Sequence, residues 1–221
     1  MIPKLQVALD VTTEAEALRA AQTLAPFVDV LEAGTLICFA EGISVVRALH
    51  SQHPTKPLVV DMKLADAGND LGEIAFSAGG SLLTVICAAP IATMESALQV
   101  ANKYKGDIQI ELFGDWTFDQ AKEWRKVGIS QAIYHLGRDA QAKGQSWSQE
   151  DLDWLERMCN LGFKMSVTGG LTKDMLPMFA HLPIDTFIAG RTLLDAPDPQ
   201  QAAISFKETL TSLWGVKNDI R

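Results

Sequence analysis

The sequence has few cysteines and no excess of positive charge. Its three cysteines, Cys38, Cys87 and Cys159, lie far apart in apolar surroundings, which excludes a disulfide framework and a zinc motif. We expect buried free thiols in a reducing compartment. With 19 basic and 27 acidic residues, the net charge is −8. This balance argues against a nucleic-acid partner, because that binding relies on Lys and Arg to neutralise phosphates.

Long apolar runs are also lacking. The first ten residues, MIPKLQVALD, contain no apolar stretch of signal-peptide length, and no later run approaches the roughly 18 apolar residues of a membrane span. We therefore expect a cytoplasmic protein with no membrane partner. A content of 48% hydrophobic and 21% charged residues is typical of a globular protein and excludes disorder, collagen and coiled coil.

Eight short apolar runs are present instead. They are too short for core helices and recur at roughly 20 to 30 residues, about the length of one strand plus one helix. Because they are apolar nearly throughout, both faces should be buried, as in a parallel sheet. The runs are residues 5–9, 28–31, 58–60, 82–86, 108–112, 132–134, 163–167 and 186–189.

Helix signals separate these runs. Segments beginning at Thr13, Thr117 and Ser148 have the spacing of a capping box, and apolar residues follow at helical intervals. Eight strand–helix units in this length predict an α/β protein with a single (β/α)8 TIM barrel domain over residues 1–221. A doubly wound open sheet is the alternative, but no GxGxxG follows the first strand.

Polar residues stand where the apolar runs end, and the catalytic groups of a (β/α)8 barrel lie at the carboxyl ends of its strands. Burying many ionisable side chains together at one end of the barrel costs free energy unless a ligand compensates their charges. This argues against a barrel with no catalytic function. The candidates are Asp10, Glu32, Asp61, Lys63, Asp66, Glu111, His135, Arg138, Thr168, Gly169, Gly170, Gly190 and Arg191.

The third strand carries the most informative pair. Asp61 and Lys63 share a face because side chains alternate along a strand, and two opposite charges so close keep each other ionised. A surface salt bridge is the alternative, but the apolar run and a third charge at Asp66 favour the barrel mouth. Glu32 ends the neighbouring strand, and two carboxylates with water and substrate oxygens suit Mg²⁺. Glu32 could instead pair with Lys63 or cap the next helix.

Three other strand-end residues have open roles. His135 is either structural or catalytic, and Arg138 is either a solvated loop residue or part of the site. Glu111 faces the barrel interior if strand five is read with Gln109 and Phe113 outward.

Two glycine-containing loops indicate an anion site. Gly169 and Gly170 follow strand seven, directly after Thr168, and Gly190 with Arg191 follows strand eight. Glycines in such loops are often simply turns. Both loops, however, stand where barrel enzymes commonly hold phosphate with backbone N–H groups and a guanidinium.

Taken together, these segments resemble the orotidine 5′-monophosphate decarboxylase suprafamily, whose DxKxxD signature is matched by DMKLAD at residues 61–66. Within it, the resemblance is closest to the 3-keto-L-gulonate 6-phosphate decarboxylases. It covers nearly the whole chain, including LQVALD at 5–10, EAGT at 32–35, TGG at 168–170 and IAGR at 188–191.

The resemblance implies a Mg²⁺-dependent lyase that decarboxylates a β-keto sugar acid phosphate of L-ascorbate or L-gulonate catabolism. The products would be L-xylulose 5-phosphate and CO₂, formed through an enediolate. By resemblance, Glu32 and Asp61 contact the metal, and Asp10 orients Lys63 and the substrate hydroxyls.

The resemblance also implies that His135, with Arg138, delivers the proton that quenches the enediolate. Asp66 would reach into the site of a second subunit, so the family likeness predicts a homodimer with shared active sites.

Two other functions stay open. Family members often carry a basic residue after the histidine, where this chain has Leu136, and that departure is more like 3-hexulose 6-phosphate synthase, an aldol lyase. Arg138 favours the decarboxylase. A non-catalytic barrel that binds a sugar phosphate is the other alternative. Orotidine 5′-monophosphate decarboxylase itself works without metal and has a lysine where Glu32 stands, which disfavours that activity.

Overall fold

The computed structural model describes residues 1–215, which form a closed parallel barrel of eight strands surrounded by helices. Each strand pairs with its neighbours in chain order, and β1 pairs with β8 to close the barrel. The predicted (β/α)8 TIM barrel is therefore confirmed. The prediction of one domain over residues 1–221 includes residues 216–221, which lie outside the described part.

All eight predicted runs overlap observed strands, and β2 and β3 continue at least two residues past the predicted ends. The charged residues that the apolar pattern had treated as strand ends, Glu32, Asp61 and Lys63, lie within β2 and β3. The strands are β1 (Lys4–Leu9), β2 (Val30–Ala33), β3 (Leu58–Leu64), β4 (Leu82–Ile86), β5 (Asp107–Leu112), β6 (Gln131–His135), β7 (Lys164–Thr168) and β8 (Thr186–Ala189).

The helices are α1 (Glu14–Leu24), α2 (Thr35–Glu41), α3 (Ser44–Gln52), α4 (Gly68–Ser77), α5 (Ile91–Lys103), α6 (Phe118–Lys126), α7 (Arg138–Ala142), α8 (Gln149–Asn160), α9 (Arg191–Leu194) and α10 (Pro199–Trp214). Between β7 and β8 the chain forms a 3₁₀ helix, Lys173–Phe179. Pro177 lies inside it and has no N–H to donate, which disfavours an α-helix there. No helix within residues 1–215 is long and apolar enough to cross a membrane.

Two of the three predicted capping boxes are complete. The hydroxyls of Thr117 and Ser148 each accept from a backbone N–H three residues later, and their own backbone N–H groups donate to the side chains of Gln120 and Asp151. Thr13 accepts from the N–H of Glu16, but the Glu16 carboxylate accepts from the Thr13 hydroxyl rather than from its backbone. These bonds satisfy N–H groups that the first helical turn leaves free.

The barrel has two apolar clusters, one on each face of its strands. The larger lies between strands and helices and includes Leu5, Val7 and Leu9, the alternate residues of β1. A separate small cluster of Ala8, Ile133 and Ile188 lies on the opposite face of the strands, inside the barrel. Side-chain alternation therefore leaves the positions nearer the carboxyl ends free to carry polar groups above an apolar floor.

Close packing of α4 on α5 depends on glycine. A Cβ atom on Gly68 would lie 2.2 Å from the carbonyl oxygen of Thr93 and 2.9 Å from the backbone nitrogen of Ala97, both in α5. Backbone atoms of a packed helix cannot move aside as a flexible side chain can. At Gly72, one turn later in α4, the nearest atom is the Val100 Cβ at 3.2 Å.

These distances predict different effects for the same substitution. Gly68→Ala should lower the free energy of unfolding by about 2 to 3 kcal/mol, because the overpacked helices must separate. Gly72→Ala should change it by less than about 1 kcal/mol, since the gain in helix propensity offsets a milder contact. Urea unfolding of both variants at one protein concentration measures the difference, and equal effects would contradict the packing argument.

Candidate active site

The sequence-predicted residues converge at the carboxyl ends of the strands. A cavity of about 460 Å³ opens there, and its lining includes every candidate except Asp66. The strands and the loops that follow them supply the lining, as expected for a (β/α)8 barrel. Asp66 is exposed and lies in the loop between β3 and α4, outside the cavity of its own chain.

A backbone irregularity in β3 sets the position of the Asp61–Lys63 pair. The register with β4 shifts between Val60 and Leu64, and Lys63 has a positive φ of 46°. The Lys63 N–H donates to the Thr84 hydroxyl, 2.9 Å away, instead of to a strand carbonyl. A left-handed lysine is unfavourable by roughly 1 kcal/mol or more, so the surrounding contacts must hold it.

The Lys63 ammonium is surrounded by acceptors. Its Nζ donates to Asp61 Oδ2 and to the Thr35 hydroxyl, each at 2.7 Å, and lies 3.1 Å from Glu111 Oε2. Burial alone would lower the pKa of Lys63, but the charges of Asp61 and Glu111 outweigh it and raise the pKa above its usual value. Lys63 therefore stays a cation at the centre of the cavity.

Asp61 is fully hydrogen-bonded. Besides Lys63, its carboxylate accepts from the hydroxyls of Thr35 and Thr84, the latter at 2.8 Å. Burial would raise the pKa of Asp61, but Lys63 and the two hydroxyls lower it below its usual value. The sequence analysis missed both threonines as site residues. Their only signal was a hydroxyl immediately after β2 and another inside β4, which is not distinctive.

Glu111 joins Lys63 to His135. His135 Nδ1 lies 2.7 Å from Glu111 Oε1, and an ionised carboxylate only accepts, so Nδ1 carries the proton and Nε2 is left for other partners. Glu111 Oε2 has no hydrogen-bond donor among the described residues, and the charge of Lys63 compensates it. The Phe113 ring packs on His135 with centroids 4.7 Å apart.

The expected register of β5 is wrong in one respect. Gln109 and Phe113 point inward with Glu111, because residues two apart share a strand face. The Gln109 amide donates to the Ser166 hydroxyl inside the barrel, and Phe113 lines the cavity. The inward position of Glu111 itself agrees with the prediction.

Glu32 lies in an unfavourable electrostatic environment for an ionised carboxyl group. It is 6% exposed, and burial, then Asp61 and Asp10, raise its pKa well above the usual value. Its one hydrogen-bond donor within residues 1–215 is the Gln6 amide, which the sequence analysis also missed. The cavity thus gathers three buried carboxyl groups, Glu32, Asp61 and Glu111, around one lysine, an excess of negative charge that a cation would relieve.

Two of these carboxylates fit Mg²⁺. Glu32 lies in β2 and Asp61 in the adjacent β3, both facing the cavity. Residues 1–215 contain no group of three or more His, Cys, Asp or Glu side chains placed to hold a metal ion by themselves. Mg²⁺ commonly takes only one or two protein carboxylates and completes its shell with water and substrate oxygens.

The far side of the cavity is formed by the last two loops. Gly169 and Gly170 have φ angles of 119° and 64°, which disfavour any residue with a side chain. Gly190 and the exposed Arg191 lie in the adjacent loop, after β8, and line the same end of the cavity. The Thr192 hydroxyl donates to the carbonyl of Leu171 at 2.6 Å and ties the two loops together.

Asp10 and Arg138 connect the two sides. The Arg138 guanidinium lies 3.7 Å from Asp10 Oδ2, an ion pair that is partly exposed. Thr168 lies in the cavity lining at the end of β7, and its hydroxyl donates to the Ile188 carbonyl at 3.3 Å. The cavity therefore has a charged half around Lys63 and a half rich in backbone N–H groups.

Known proteins with this architecture are similar over almost the full chain. The family described as Orotidine 5′-phosphate decarboxylase / HUMPS matches residues 3–206. The 3-keto-L-gulonate-6-phosphate decarboxylase of Escherichia fergusonii is 46% identical over 214 residues, covering 97% of this chain and 99% of the relative.

Solved structures agree with this result. A crystal structure of KGPDC from Streptococcus mutans superposes with a TM-score of 0.96 at 43% identity, covering 97% of this chain and 100% of that one. A 3-hexulose-6-phosphate synthase gives 0.87 at 33% identity, with 93% and 99% coverage. The chain therefore belongs to the orotidine 5′-phosphate decarboxylase / HUMPS family, as its DxKxxD segment predicted, and is a carboxy-lyase, a carbon–carbon lyase.

Proposed function

We propose that this protein is a cytoplasmic, Mg²⁺-dependent decarboxylase of 3-keto-L-gulonate 6-phosphate that forms L-xylulose 5-phosphate and CO₂ in L-ascorbate or L-gulonate catabolism. The observation that carries the proposal is the buried lysine–carboxylate cluster of the cavity, together with the names of the relatives. The relatives at 46% and 43% identity carry the decarboxylase name, whereas the synthase relative is 33% identical.

Lys63 supplies fixed positive charge for the chemical step. When CO₂ leaves a β-keto acid, its bonding electrons move onto the neighbouring carbonyl and form an enediolate. A cation already in place stabilises that charge without reorganisation at the moment of reaction. Lys63 is held by Asp61, Glu111 and Thr35, so it fits this role.

Glu32 and Asp61 would hold Mg²⁺, which as a Lewis acid would polarise the substrate oxygens that become the enediolate. The raised pKa of Glu32, caused by burial and by the neighbouring carboxylates, supports a bound cation. Asp10 borders the same region and accepts from substrate hydroxyls in this proposal.

His135 acts after CO₂ has left. With Nδ1 hydrogen-bonded to Glu111, Nε2 of this cavity-lining side chain is available to pass a solvent proton to the enediolate carbon. Arg138, near the mouth and paired with Asp10, stabilises the water or hydroxyl that relays this proton.

The phosphate occupies the opposite end of the cavity. The N–H groups of the Gly169-Gly170 loop and of Gly190 would donate to its oxygens, and Arg191 would contribute a guanidinium. Thr168 lies between this end and the charged cluster.

Asp66 supports a homodimer with shared active sites. It belongs to the DxKxxD segment but is exposed and outside its own cavity. Nearby elements carry large exposed apolar side chains: Leu36 and Phe39 on α2, 40% and 80% exposed, and Ile74 on α4, 42% exposed. A second copy that covered these residues could place its Asp66 over the cavity.

The reaction and its metal requirement can be tested together. Purified protein should release CO₂ from 3-keto-L-gulonate 6-phosphate with Mg²⁺, lose most of that rate in EDTA, and recover with Mg²⁺ or Mn²⁺, which takes the same oxygen ligands. If EDTA leaves the rate of CO₂ release unchanged, the proposed metal requirement is wrong and the proposed reaction stands. Aldol cleavage or condensation without CO₂ release would instead identify a 3-hexulose 6-phosphate synthase activity. Binding of the sugar phosphate without turnover would indicate a non-catalytic barrel.

Substitutions of Lys63 and His135 should affect different steps of the reaction. Lys63→Ala should slow decarboxylation by about 10²- to 10³-fold, as for loss of one preorganised electrostatic donor. His135→Ala should slow it less but disturb proton delivery. Turnover in D₂O, with NMR of which hydrogen at the new CH₂OH carries deuterium, measures both.

A partly buried lysine elsewhere gives the control for this pair. Lys56 donates to the Val28 carbonyl and does not line the cavity, so Lys56→Ala should keep both rate and deuterium placement. Wild-type rate and wild-type placement in His135→Ala would show that His135 is structural.

Shared sites predict complementation between two inactive variants. Asp66→Asn and Lys63→Ala should each be inactive alone, whereas dimers re-formed from an equal mixture should regain about a quarter of wild-type activity, since half are mixed and each has one intact site. Asp70→Asn, which alters an exposed carboxylate in the first turn of α4, is the control and should remain active. No recovery on mixing would argue that each site is complete within one chain.

A further inference from the structure

The loop after β7 is held from behind by a tryptophan. Trp147 lies between α7 and α8, and its indole Nε1 donates to the carbonyl oxygen of Gly169 at 2.9 Å. The side chain is buried and is not part of the cavity lining, so the bond is made on the side of the loop away from the cavity. Trp147 has no part in the proposed reaction.

This bond controls a neighbouring N–H group. The Gly169 carbonyl and the Gly170 N–H belong to one trans peptide plane, in which C=O and N–H point in opposite directions. Because the indole holds the oxygen away from the cavity, the Gly170 N–H is directed toward it. The preceding carbonyl is held as well, since Thr168 O accepts from the Leu136 N–H at 3.0 Å.

Such support matters most in a Gly-Gly segment. Two adjacent glycines at φ angles of 119° and 64° have no side chains to restrict rotation of the peptide between them. Without the indole bond, that peptide could adopt orientations that turn its N–H out of the cavity. An anion would then have to order the loop when it binds, which weakens affinity.

The indole is itself well fixed. It packs edge-to-face on Phe179, with centroids 5.1 Å apart, and lies 5.8 Å from the Tyr134 ring. The next residue, Ser148, begins α8 with a complete capping box, and Asp151 of that box accepts from the Tyr134 hydroxyl at 2.7 Å. The donor is therefore preorganised by the packing and by the start of α8.

From this geometry we infer that Trp147 is a positioning residue for the phosphate group of the substrate: its indole N–H orients the Gly169–Gly170 peptide so that the Gly170 N–H donates to the anion. The inference rests on the proposed phosphate end of the cavity and names a residue that acts on it indirectly.

A matched pair of variants tests the role. Trp147→Phe keeps an aromatic ring but removes the N–H donor. Trp214→Phe is the control, because Trp214 is also buried and its Nε1 donates to a backbone carbonyl, Leu182 O at 3.2 Å, outside the cavity lining. The probe is inorganic phosphate, titrated against each folded protein by NMR, with thermal unfolding measured in parallel and Arg191→Ala as a variant of the site itself.

The dissociation constant of inorganic phosphate should rise about 3- to 10-fold in Trp147→Phe, as for loss of one hydrogen bond, and stay within about 2-fold of wild type in Trp214→Phe. A purely structural role would lower the melting temperature of both variants and leave phosphate affinity unchanged, which would overturn the inference. Wild-type protein that binds no phosphate, or binds it equally well in Arg191→Ala, would overturn both the phosphate end and the inference.

If Trp147→Phe does not fold, hydrogen exchange on the wild-type protein tests whether the Trp147 indole is coupled to phosphate binding. Coupling between two sites is reciprocal, so saturating phosphate should slow exchange of the Trp147 indole N–H by about the same 3- to 10-fold, and leave the Trp214 indole unchanged. Equal exchange of the Trp147 indole with and without phosphate would exclude the coupling.

Discussion

The bulge in β3 is the constraint on which the rest of the cavity depends. In a regular strand, Asp61 and Lys63 would project in parallel about 6 to 7 Å apart. The register shift and the left-handed conformation of Lys63 instead bring Nζ to within 2.7 Å of the Asp61 carboxylate. Thr84, on the adjacent strand, accepts from the Lys63 N–H and donates to Asp61, so one hydroxyl stabilises both the backbone distortion and the ion pair.

A second constraint is the balance of charge around that ion pair. Arg138 pairs with Asp10, but Lys63 alone cannot neutralise Glu32, Asp61 and Glu111, and the pKa shifts of Asp61 and Glu32 have opposite directions. Asp61 is close to the ammonium and is stabilised as an anion, whereas burial and neighbouring negative charge act on Glu32. The folded protein thus keeps one buried carboxyl group that its surroundings hold toward the protonated form, and a cation bound beside it would favour its ionisation.

The sequence predicts the barrel and the location of the site well, because both follow from local patterns. Apolar runs at strand spacing indicate the barrel, and charged residues at their ends indicate the mouth. The sequence does not reveal Thr35, Thr84 or Gln6, because a hydroxyl or amide inside a strand has no distinctive pattern until a partner strand lies beside it. The conditional register of β5 is wrong for Gln109 because residues 109, 111 and 113 alternate with their neighbours and share one strand face, so Gln109 faces inward together with Glu111.

The apolar floor formed by Ala8, Ile133 and Ile188 lies at the inner end of the cavity, opposite its mouth. The barrel axis beyond this layer is filled by packed side chains, among them Gln109 and Ser166, so substrate, water and protons reach the charged cluster from the mouth. CO₂ would be released beneath a sugar whose phosphate is anchored near that same opening. The floor therefore makes the mouth serve as both entrance and exit, and changes in its loops would alter the uptake of substrate and the escape of gas together.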